Sequence, residues 1–230
     1  EDVALYNLDG LLVASPGNPT GTMLDKPTLK ALANHAEQSG IGFISDEIYH
    51  GIEYEKKAIT ALEVTNRAYV INSFSKFFSM TGWRIGWLVV PEDHVRSVER
   101  LAQNMFICPP HISQIAALAA LECGAETTRN MKVYAKNRQL MLKGLPESGF
   151  FKITPPEGAF YIYADISEFR VDSQDFARQV LAEVGVAITP GVDFDPQRGG
   201  QTVRFSYAQS TSEVVEGLRR LKAFMQTHYL

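Results

Sequence analysis

Six polar side chains follow three short apolar runs and could act together in catalysis or ligand binding. They are Asn18, Asp46, Tyr49, Ser73, Lys76 and Arg84. A lysine at a partly buried strand end can form a Schiff base with a carbonyl compound. A carboxylate can keep a heteroaromatic nitrogen protonated, and a phenol can hydrogen-bond an anionic ring oxygen. A serine and an arginine can hold a phosphate. The set predicts chemistry on a phosphorylated aromatic aldehyde.

The elements that must position these side chains are buried strands. The sequence predicts strands at Leu11–Ala14, Ile41–Ser45 and Ala68–Asn72, because each is a short apolar run bounded by turn residues. A helix is predicted between the first two strands, starting after the N-cap Asp25 and ending at Gly40. Strands that alternate with helices indicate a mostly parallel sheet, whose carboxyl-end edge binds ligands. The polar side chains are therefore expected to meet at that edge.

The chemistry of this set matches one cofactor. An amine, a carboxylate, a phenol and a phosphate clamp are what pyridoxal 5'-phosphate (PLP) requires of its protein. Each residue also has an ordinary structural interpretation: Lys76 as a surface lysine, Asp46 as a cap after a strand, and Asn18 as a turn residue. Taken alone, Lys76 favours the structural interpretation.

Five strings in order add a family resemblance. They are S-P-G-N-P-T-G (15–21), S-D-E-I-Y (45–49), S-F-S-K-F-F-S-M-T-G-W-R-I-G-W (73–87), P-E-G-A-F-Y-I-Y (156–163) and V-R-F-S-Y-A (203–208). Together they resemble the class I/II aminotransferases of PLP fold type I, and they span the chain from about residue 10 to 210. The resemblance implies an enzyme that moves an amino group between an amino acid and a 2-oxo acid.

The resemblance also implies a role for each residue. Lys76 corresponds to the lysine that binds PLP as a Schiff base and then moves the substrate proton. Asp46 corresponds to the partner of the pyridinium nitrogen, and Tyr49 and Asn18 to the groups that bond the ring oxygen. Ser73 and Arg84 correspond to phosphate ligands. Arg204, together with Asn18, corresponds to the site of the substrate α-carboxylate.

Arg204 also has an interpretation from its own strand. Val203, Phe205 and Tyr207 alternate with it, so a strand would turn the arginine to the face opposite the apolar residues. Without the resemblance, that face would be read as solvent-exposed. The resemblance instead implies a planar fork that binds a carboxylate.

The overall expectation is an α/β protein with two domains. Residues 1–130 are expected to form part of a parallel-sheet, PLP-binding large domain, and residues 131–230 an α+β small domain. Helices are predicted at 92–104, 111–123, 126–145, 173–184 and 212–227. Further strands are predicted at 85–90, 151–154, 159–165, 186–189 and 202–207.

Composition limits the partners. The 230 residues are 45% hydrophobic with a net charge of −4 and no basic stripe, so no nucleic-acid partner is expected. The longest apolar runs, such as Ile115–Leu121, are far shorter than the ~20 residues of a membrane span, so no membrane partner is expected either. The five histidines lack metal-ligand spacing. Cys108 and Cys123 are expected to be reduced in the cytoplasm.

The extent of the resemblance sets further expectations. Family members are longer and supply more of the sheet and phosphate site upstream, so this chain is expected to be a C-terminal portion. Such a portion is expected to bind PLP poorly by itself, and the family implies a homodimer. Two alternatives stay open: another fold type I PLP enzyme, such as a carbon–sulfur lyase, and the aminotransferase-like sensor domain of a transcription regulator.

Overall fold

A computed structural model describes residues 8–230, which fall into two compact units. The first unit runs to Gly17 and resumes over Thr22–Thr127, and the second contains Asn18–Gly21 and Thr128–Leu230. The expected boundary at residues 130 and 131 lies close to the division after Thr127. The sequence did not predict that Asn18–Gly21 would group with the second unit.

The first unit is built on a four-stranded sheet in chain order. Its strands are β1 (Gly10–Ala14), β2 (Gly42–Asp46), β3 (Ala68–Ser73) and β4 (Gly86–Val89). β1, β2 and β3 are parallel, as the sequence predicts, while β4 runs antiparallel to β3. The connection from β3 to β4 holds the 3-10 helix Thr81–Trp83 in place of the long helix that a parallel crossover uses.

Helix α1 (Lys26–Gln38) packs on one face of this sheet. Asp25 caps it by accepting a hydrogen bond of 2.9 Å from the Thr28 N–H, and Pro27 lies in its first turn. The apolar face of the helix joins a core cluster with strand residues. The buried members of that cluster are Leu29, Ala33, Ala36, Phe43, Ala61, Ala68 and Val70. After β4 come α2 (Val95–Met105) and α3 (His111–Leu121).

The second unit begins within α4 (Gly124–Glu147) and contains a three-stranded antiparallel sheet. Its strands lie in the order β5 (Tyr161–Asp165), β7 (Thr202–Ser206) and β6 (Thr189–Pro190). Helices α5 (Ser173–Val184) and α6 (Thr211–His228) complete the unit.

Two predicted strands of this unit are shorter than expected. The strand predicted at 151–154 is reduced to a single bridge between Ile153 and Ala164, and the strand predicted at 186–189 is found at Thr189–Pro190. β7 occupies the centre of the sheet, and its neighbour β6 stops where Gly191 begins a 3-10 turn. Pro190, which has no N–H to donate to a ladder, fits a strand at the sheet's edge.

Candidate functional site

The carboxyl ends of β1, β2 and β3 lie at the same edge of the first unit's sheet. The register pairs Ala14 of β1 with Asp46 of β2, and Asp46 with Ile71 of β3. Asp46 is thus the last residue of the middle one of the three parallel strands. The segments that contain Tyr49 and Lys76 leave the sheet at the same edge.

Lys76 and Tyr49 meet in this region. The Nζ atom of Lys76 lies 5.9 Å from the centre of the Tyr49 ring, which is buried. Lys76 itself is partly buried. Within the first unit, its amine makes no hydrogen bond or ion pair with the residues that the structure describes. The amine is therefore held against an aromatic ring and uncommitted to any acceptor there.

Asp46 is partly buried and has one carboxylate oxygen in use. Its Oδ1 accepts a hydrogen bond of 3.1 Å from the Ile48 N–H, which closes a tight turn after β2. Among the described residues of the first unit, the other oxygen has no partner. This carboxylate can therefore accept a hydrogen bond from a ligand without giving up its contact with the turn.

Ser73 and Arg84 lie at the two ends of the β3–β4 connection. The Ser73 Oγ accepts from the Ser75 N–H at 3.0 Å and lies 3.1 Å from the Ile85 carbonyl oxygen, to which it can donate. The Arg84 side chain is exposed, and its Nη1 donates to the Thr81 carbonyl at 3.0 Å. No hydrogen bond joins the Ser73 and Arg84 side chains in the described first unit.

The backbone of Arg84 is strained. Its φ of 52° and ψ of 52° place it in the left-handed region, which a residue with a Cβ occupies at a cost of about 1–3 kcal/mol. Such strain persists where the surrounding chain enforces it, and it is concentrated at functional sites. The conformation is a second reason, besides charge, to keep Arg84 among the candidates.

Asn18 and Arg204 meet in the second unit. The Nη1 of Arg204 donates to the Asn18 Oδ1 at 2.8 Å. Asn18 is kept there by its neighbour Gly21, whose carbonyl oxygen accepts from the N–H groups of Glu157 and Gly158 at 2.8 and 2.9 Å. Gly21 has a φ of 69° and packs against Pro156, so a side chain at this position would be strained and would clash.

Three further residues fix Arg204, and we call them with Asn18 the arginine clamp: Thr189, Tyr161 and Phe194. The Nη2 of Arg204 donates to the Thr189 Oγ1 at 3.2 Å. Its Cζ lies 4.2 Å from the centre of the Tyr161 ring and 4.7 Å from that of Phe194. Both distances are well within the range of cation–π attraction.

One polar atom of Arg204 is left over. Its Nε is buried and has no hydrogen-bond partner in the described structure. Because buried donors are almost always paired, an orphaned guanidinium N–H indicates a position where a ligand or water completes the site. A planar fork held in place, with one buried N–H still unpaired among the described residues, is suited to a carboxylate.

The sequence missed Thr189, Tyr161 and Phe194. A signal existed for the first, because the register pairs Thr189 of β6 directly with Arg204 of β7. Directly paired residues share a face of the sheet, so a correct strand pairing would have identified the contact. Tyr161 lies in one of the motif strings, whereas Phe194, in the chain that follows β6, has no local signal.

The predicted residues thus form two groups. Lys76, Asp46, Tyr49, Ser73 and Arg84 lie in the first unit, and Asn18 and Arg204 in the second. Within residues 8–230, no group of three or more His, Cys, Asp or Glu side chains is arranged to hold a metal ion. Nor does any helix in that range combine the length and apolar character that crossing a bilayer requires.

Comparison with known proteins identifies the family to which the chain belongs. The pattern that defines the family "Aminotransferase class I and II" matches residues 4–221. A valine–pyruvate aminotransferase of Mycobacterium tuberculosis is 47% identical over 95% of this chain and 57% of its own length. A (5-formylfuran-3-yl)methyl phosphate transaminase of Methanocaldococcus jannaschii is 37% identical over 94% of this chain and 57% of its own length.

Solved structures give the same result. The crystal structure of a provisionally assigned aminotransferase from Silicibacter pomeroyi is 64% identical, with a TM-score of 0.96 over 98% of this chain and 61% of that one. A Thermotoga maritima aspartate aminotransferase has a TM-score of 0.89 at 31% identity, over 98% of this chain and 59% of that one. The chain therefore spans little more than half the length of the relatives it matches.

Proposed function

Because the chain belongs to the class I and II aminotransferase family, we propose that it takes part in PLP-dependent transfer of an amino group between an amino acid and a 2-oxo acid. The observation that carries this proposal is the Lys76 amine, 5.9 Å from the ring centre of Tyr49 and uncommitted within its unit. Asp46 ends the neighbouring parallel strand. An amine, a phenol and a carboxylate around one strand edge are the groups that PLP requires.

The side chains present fit this cofactor. Lys76 would bind its aldehyde carbon, and Asp46 has a carboxylate oxygen free to accept from its ring nitrogen. Tyr49 and Asn18 would bond its ring oxygen. Ser73 and Arg84 would hold its phosphate, for which the Ser73 hydroxyl would turn from the Ile85 carbonyl and the Arg84 guanidinium from the Thr81 carbonyl.

PLP, when bound, supplies a carbonyl that condenses with amines and a ring that accepts an electron pair. The protein supplies the proton transfers. The Lys76 amine, once unprotonated, could take the proton from the substrate α-carbon and deliver it across the linking nitrogen to the carbon that the cofactor's carbonyl supplies. Asp46, as an anion, favours a protonated ring nitrogen and so strengthens the ring as an electron acceptor.

Arg204 would bind the α-carboxylate that every amino acid and 2-oxo acid substrate carries. The arginine clamp holds the guanidinium against two aromatic rings and at two of its nitrogens, so little side-chain freedom is lost on binding. The orphaned Nε–H adds a donor for the same ligand or for a water beside it. Orientation of the α-carbon would follow from this fixed end of the substrate.

Valine and pyruvate are the first substrate pair to test, because a relative at 47% identity carries the name valine–pyruvate aminotransferase. We also propose a homodimer. Exposed apolar side chains lie along α2 and α3, and such patches mark interaction surfaces. They are Leu101, Met105, Ile112, Ile115, Leu118 and Leu121. Two exposed, unpaired cysteines support a reducing compartment such as the cytoplasm.

The test is direct. The purified protein is incubated with PLP, reduced with borohydride and mapped by peptide mass spectrometry, and amino transfer from valine to a 2-oxo acid is measured beside it. The proposal expects label on Lys76 and keto-acid-dependent exchange. Label on a different lysine would overturn the assignment, and ammonia release without an acceptor would indicate lyase chemistry.

A further inference from the structure

The residue beside Asp46 is a buried carboxylate that the proposed reaction does not use. Glu47 is 3% exposed. Its Oε1 accepts from the Ser45 Oγ at 3.0 Å, the Thr60 Oγ1 at 3.1 Å and the Ala61 N–H at 2.7 Å. A buried charge requires such partners, because an unpaired one would be strongly destabilising. Glu47 is therefore anchored to strand β2 on one side and to the 3-10 helix Ala61–Glu63 on the other.

His50 extends this anchor to the neighbouring strand. Its Nδ1 lies 3.4 Å from the Glu47 Oε2, and its Nε2 lies 3.0 Å from the carbonyl oxygen of Ser15. Ser15 follows β1 directly, and its own hydroxyl accepts from the Leu24 N–H at 2.9 Å. One imidazole thus connects the chain leaving β1 with the chain leaving β2.

Glu47 and His50 both belong to the turn that contains Asp46 and Tyr49. The turn is closed by the Ile48 N–H to Asp46 Oδ1 bond and by backbone bonds from His50 to Glu47 and from Ile52 to Tyr49. The Glu47 N–H also donates to the Ile71 carbonyl of β3 at 2.8 Å. Glu47 and His50 alternate with Asp46 and Tyr49 along the chain, so each anchor residue adjoins a candidate cofactor ligand.

We propose that Glu47 and His50 are positioning residues, a buried carboxylate–imidazole pair that fixes where Asp46 and Tyr49 meet the cofactor ring. The inference builds on the proposed function for the identity of the ligand. The positioning itself rests on hydrogen bonds within the first unit. Neither side chain needs to touch the ligand for this role.

Two substitutions at one position separate the two contacts of the imidazole. His50→Asn places an amide N–H near the Nδ1 position and keeps the Glu47 contact. His50→Gln places one near the Nε2 position and keeps the Ser15 contact. Glu47→Gln removes the charge but keeps an acceptor oxygen. Glu63→Gln, which removes an exposed carboxylate paired with Lys26, is the matched control.

With PLP added, the expected result is spectroscopic. Displacing Tyr49 from the ring oxygen weakens its bond to the anionic form, so the pH midpoint of the visible absorbance band should rise in both His50 variants and in Glu47→Gln. The Kd for PLP should rise roughly fivefold. Glu63→Gln should match the wild type in both readouts. A pure loss of stability would lower the melting temperature without moving the midpoint of the folded protein.

A second measurement needs no PLP. Hydrogen exchange of the peptide covering residues 45–52 should accelerate about fivefold in all three variants, and that of the peptide covering residues 15–24 chiefly in His50→Asn, which loses the Ser15 contact, since a broken hydrogen bond lowers the free energy of local opening. Unchanged exchange in all three would overturn the proposal, whatever the protein binds. A wild type that binds no PLP at Lys76, with exchange accelerated as expected, would overturn the proposed function and retain the positioning role.

Discussion

The lysine of the first unit and the arginine of the second are held in opposite ways. Within its unit, Lys76 has one aromatic contact at 5.9 Å and no hydrogen-bond partner among the described residues. Arg204 has two aromatic faces at 4.2 and 4.7 Å and two hydrogen bonds, to Asn18 and Thr189. A group that must bind and release carbon and then carry a proton needs freedom to move. A group that only binds gains affinity from being fixed beforehand.

The largest effect is expected at Lys76, whose amine has no hydrogen-bond partner among the described residues of its unit. In the proposed reaction, Lys76→Ala removes both the covalent attachment and the proton carrier, so kcat should fall about 10³-fold or more. Steady-state transamination and borohydride trapping measure the two losses separately. Lys30→Ala, on the exposed face of α1, is the control and should be unchanged. If Lys76→Ala retained more than a tenth of wild-type kcat, the reactive lysine would have to be sought elsewhere.

The fixed residue comes second. Arg204→Lys keeps the positive charge but loses the planar fork and its contacts with the clamp. Because a hydrogen bond to a charged group is worth more than a neutral one, KM for both amino acid and 2-oxo acid should rise about 10- to 100-fold. The kcat should change less than KM.

The control for this substitution is Arg219→Lys on α6, where the arginine pairs with Glu216 at the surface. That variant should leave both constants unchanged. An Arg204→Lys enzyme with normal KM and reduced kcat would place Arg204 in the chemical step, and the contrast between a free lysine and a fixed arginine would fail.

The positions of the candidate residues in the first unit could largely be predicted from the sequence, whereas the contacts that hold Arg204 in the second unit could not. The β-strands that end at Asp46 and Ser73 are short apolar runs, so local pattern is enough to place these candidate ligands. Arg204 was found through its motif string. Its contacts with Thr189 and Phe194 depend on the pairing of β6 with β7, which links residues that are distant in the chain.

Two features of the fold escaped prediction for the same physical reason. The direction of β4 depends on how the β3–β4 connection folds back, and a short apolar run does not specify direction. The grouping of Asn18 with the second unit depends on backbone bonds from Glu157 and Gly158 to Gly21. Long-range hydrogen bonds of this kind have no counterpart in local composition.

A smaller effect on KM should follow from removing one of the two aromatic rings that contact Arg204. Phe194→Leu removes a cation–π contact but leaves the Arg204 hydrogen bonds, so KM should rise about 3- to 10-fold with kcat nearly unchanged. NMR of the arginine Nε–H groups gives an independent readout, because ring currents from two aromatic faces shift the Arg204 signal. Phe151→Leu, which replaces an exposed ring, is the control. An unmoved Arg204 signal would mean that Phe194 does not hold it.

The smallest expected effect is on the stability of the fold at acidic pH. Asp165 is the last residue of β5, the strand that begins with Tyr161 of the clamp. The Ser167 side chain lowers the pKa of Asp165 most, burial opposes it, and the Ser167 backbone N–H and Lys152 add to the lowering. Since the folded pKa lies below the ordinary value, the stabilisation is present above the ordinary pKa of about 3.9 and is lost as pH falls through the folded value.

Asp165→Asn should therefore flatten the pH dependence of stability below about pH 4, where a protonated carboxyl no longer favours the folded state. The measurement is the melting temperature from pH 5 to pH 2, with Asp175→Asn on α5 as a control for removing an exposed carboxylate. Wild type and control should lose melting temperature in parallel, and Asp165→Asn should lose a few degrees less. Because Asp165 and Tyr161 both lie in β5, lowering the pH should accelerate hydrogen exchange more in β5 than in β3. Equal acceleration in both strands would mean that acid loosens the whole molecule and not the strand of the arginine clamp in particular.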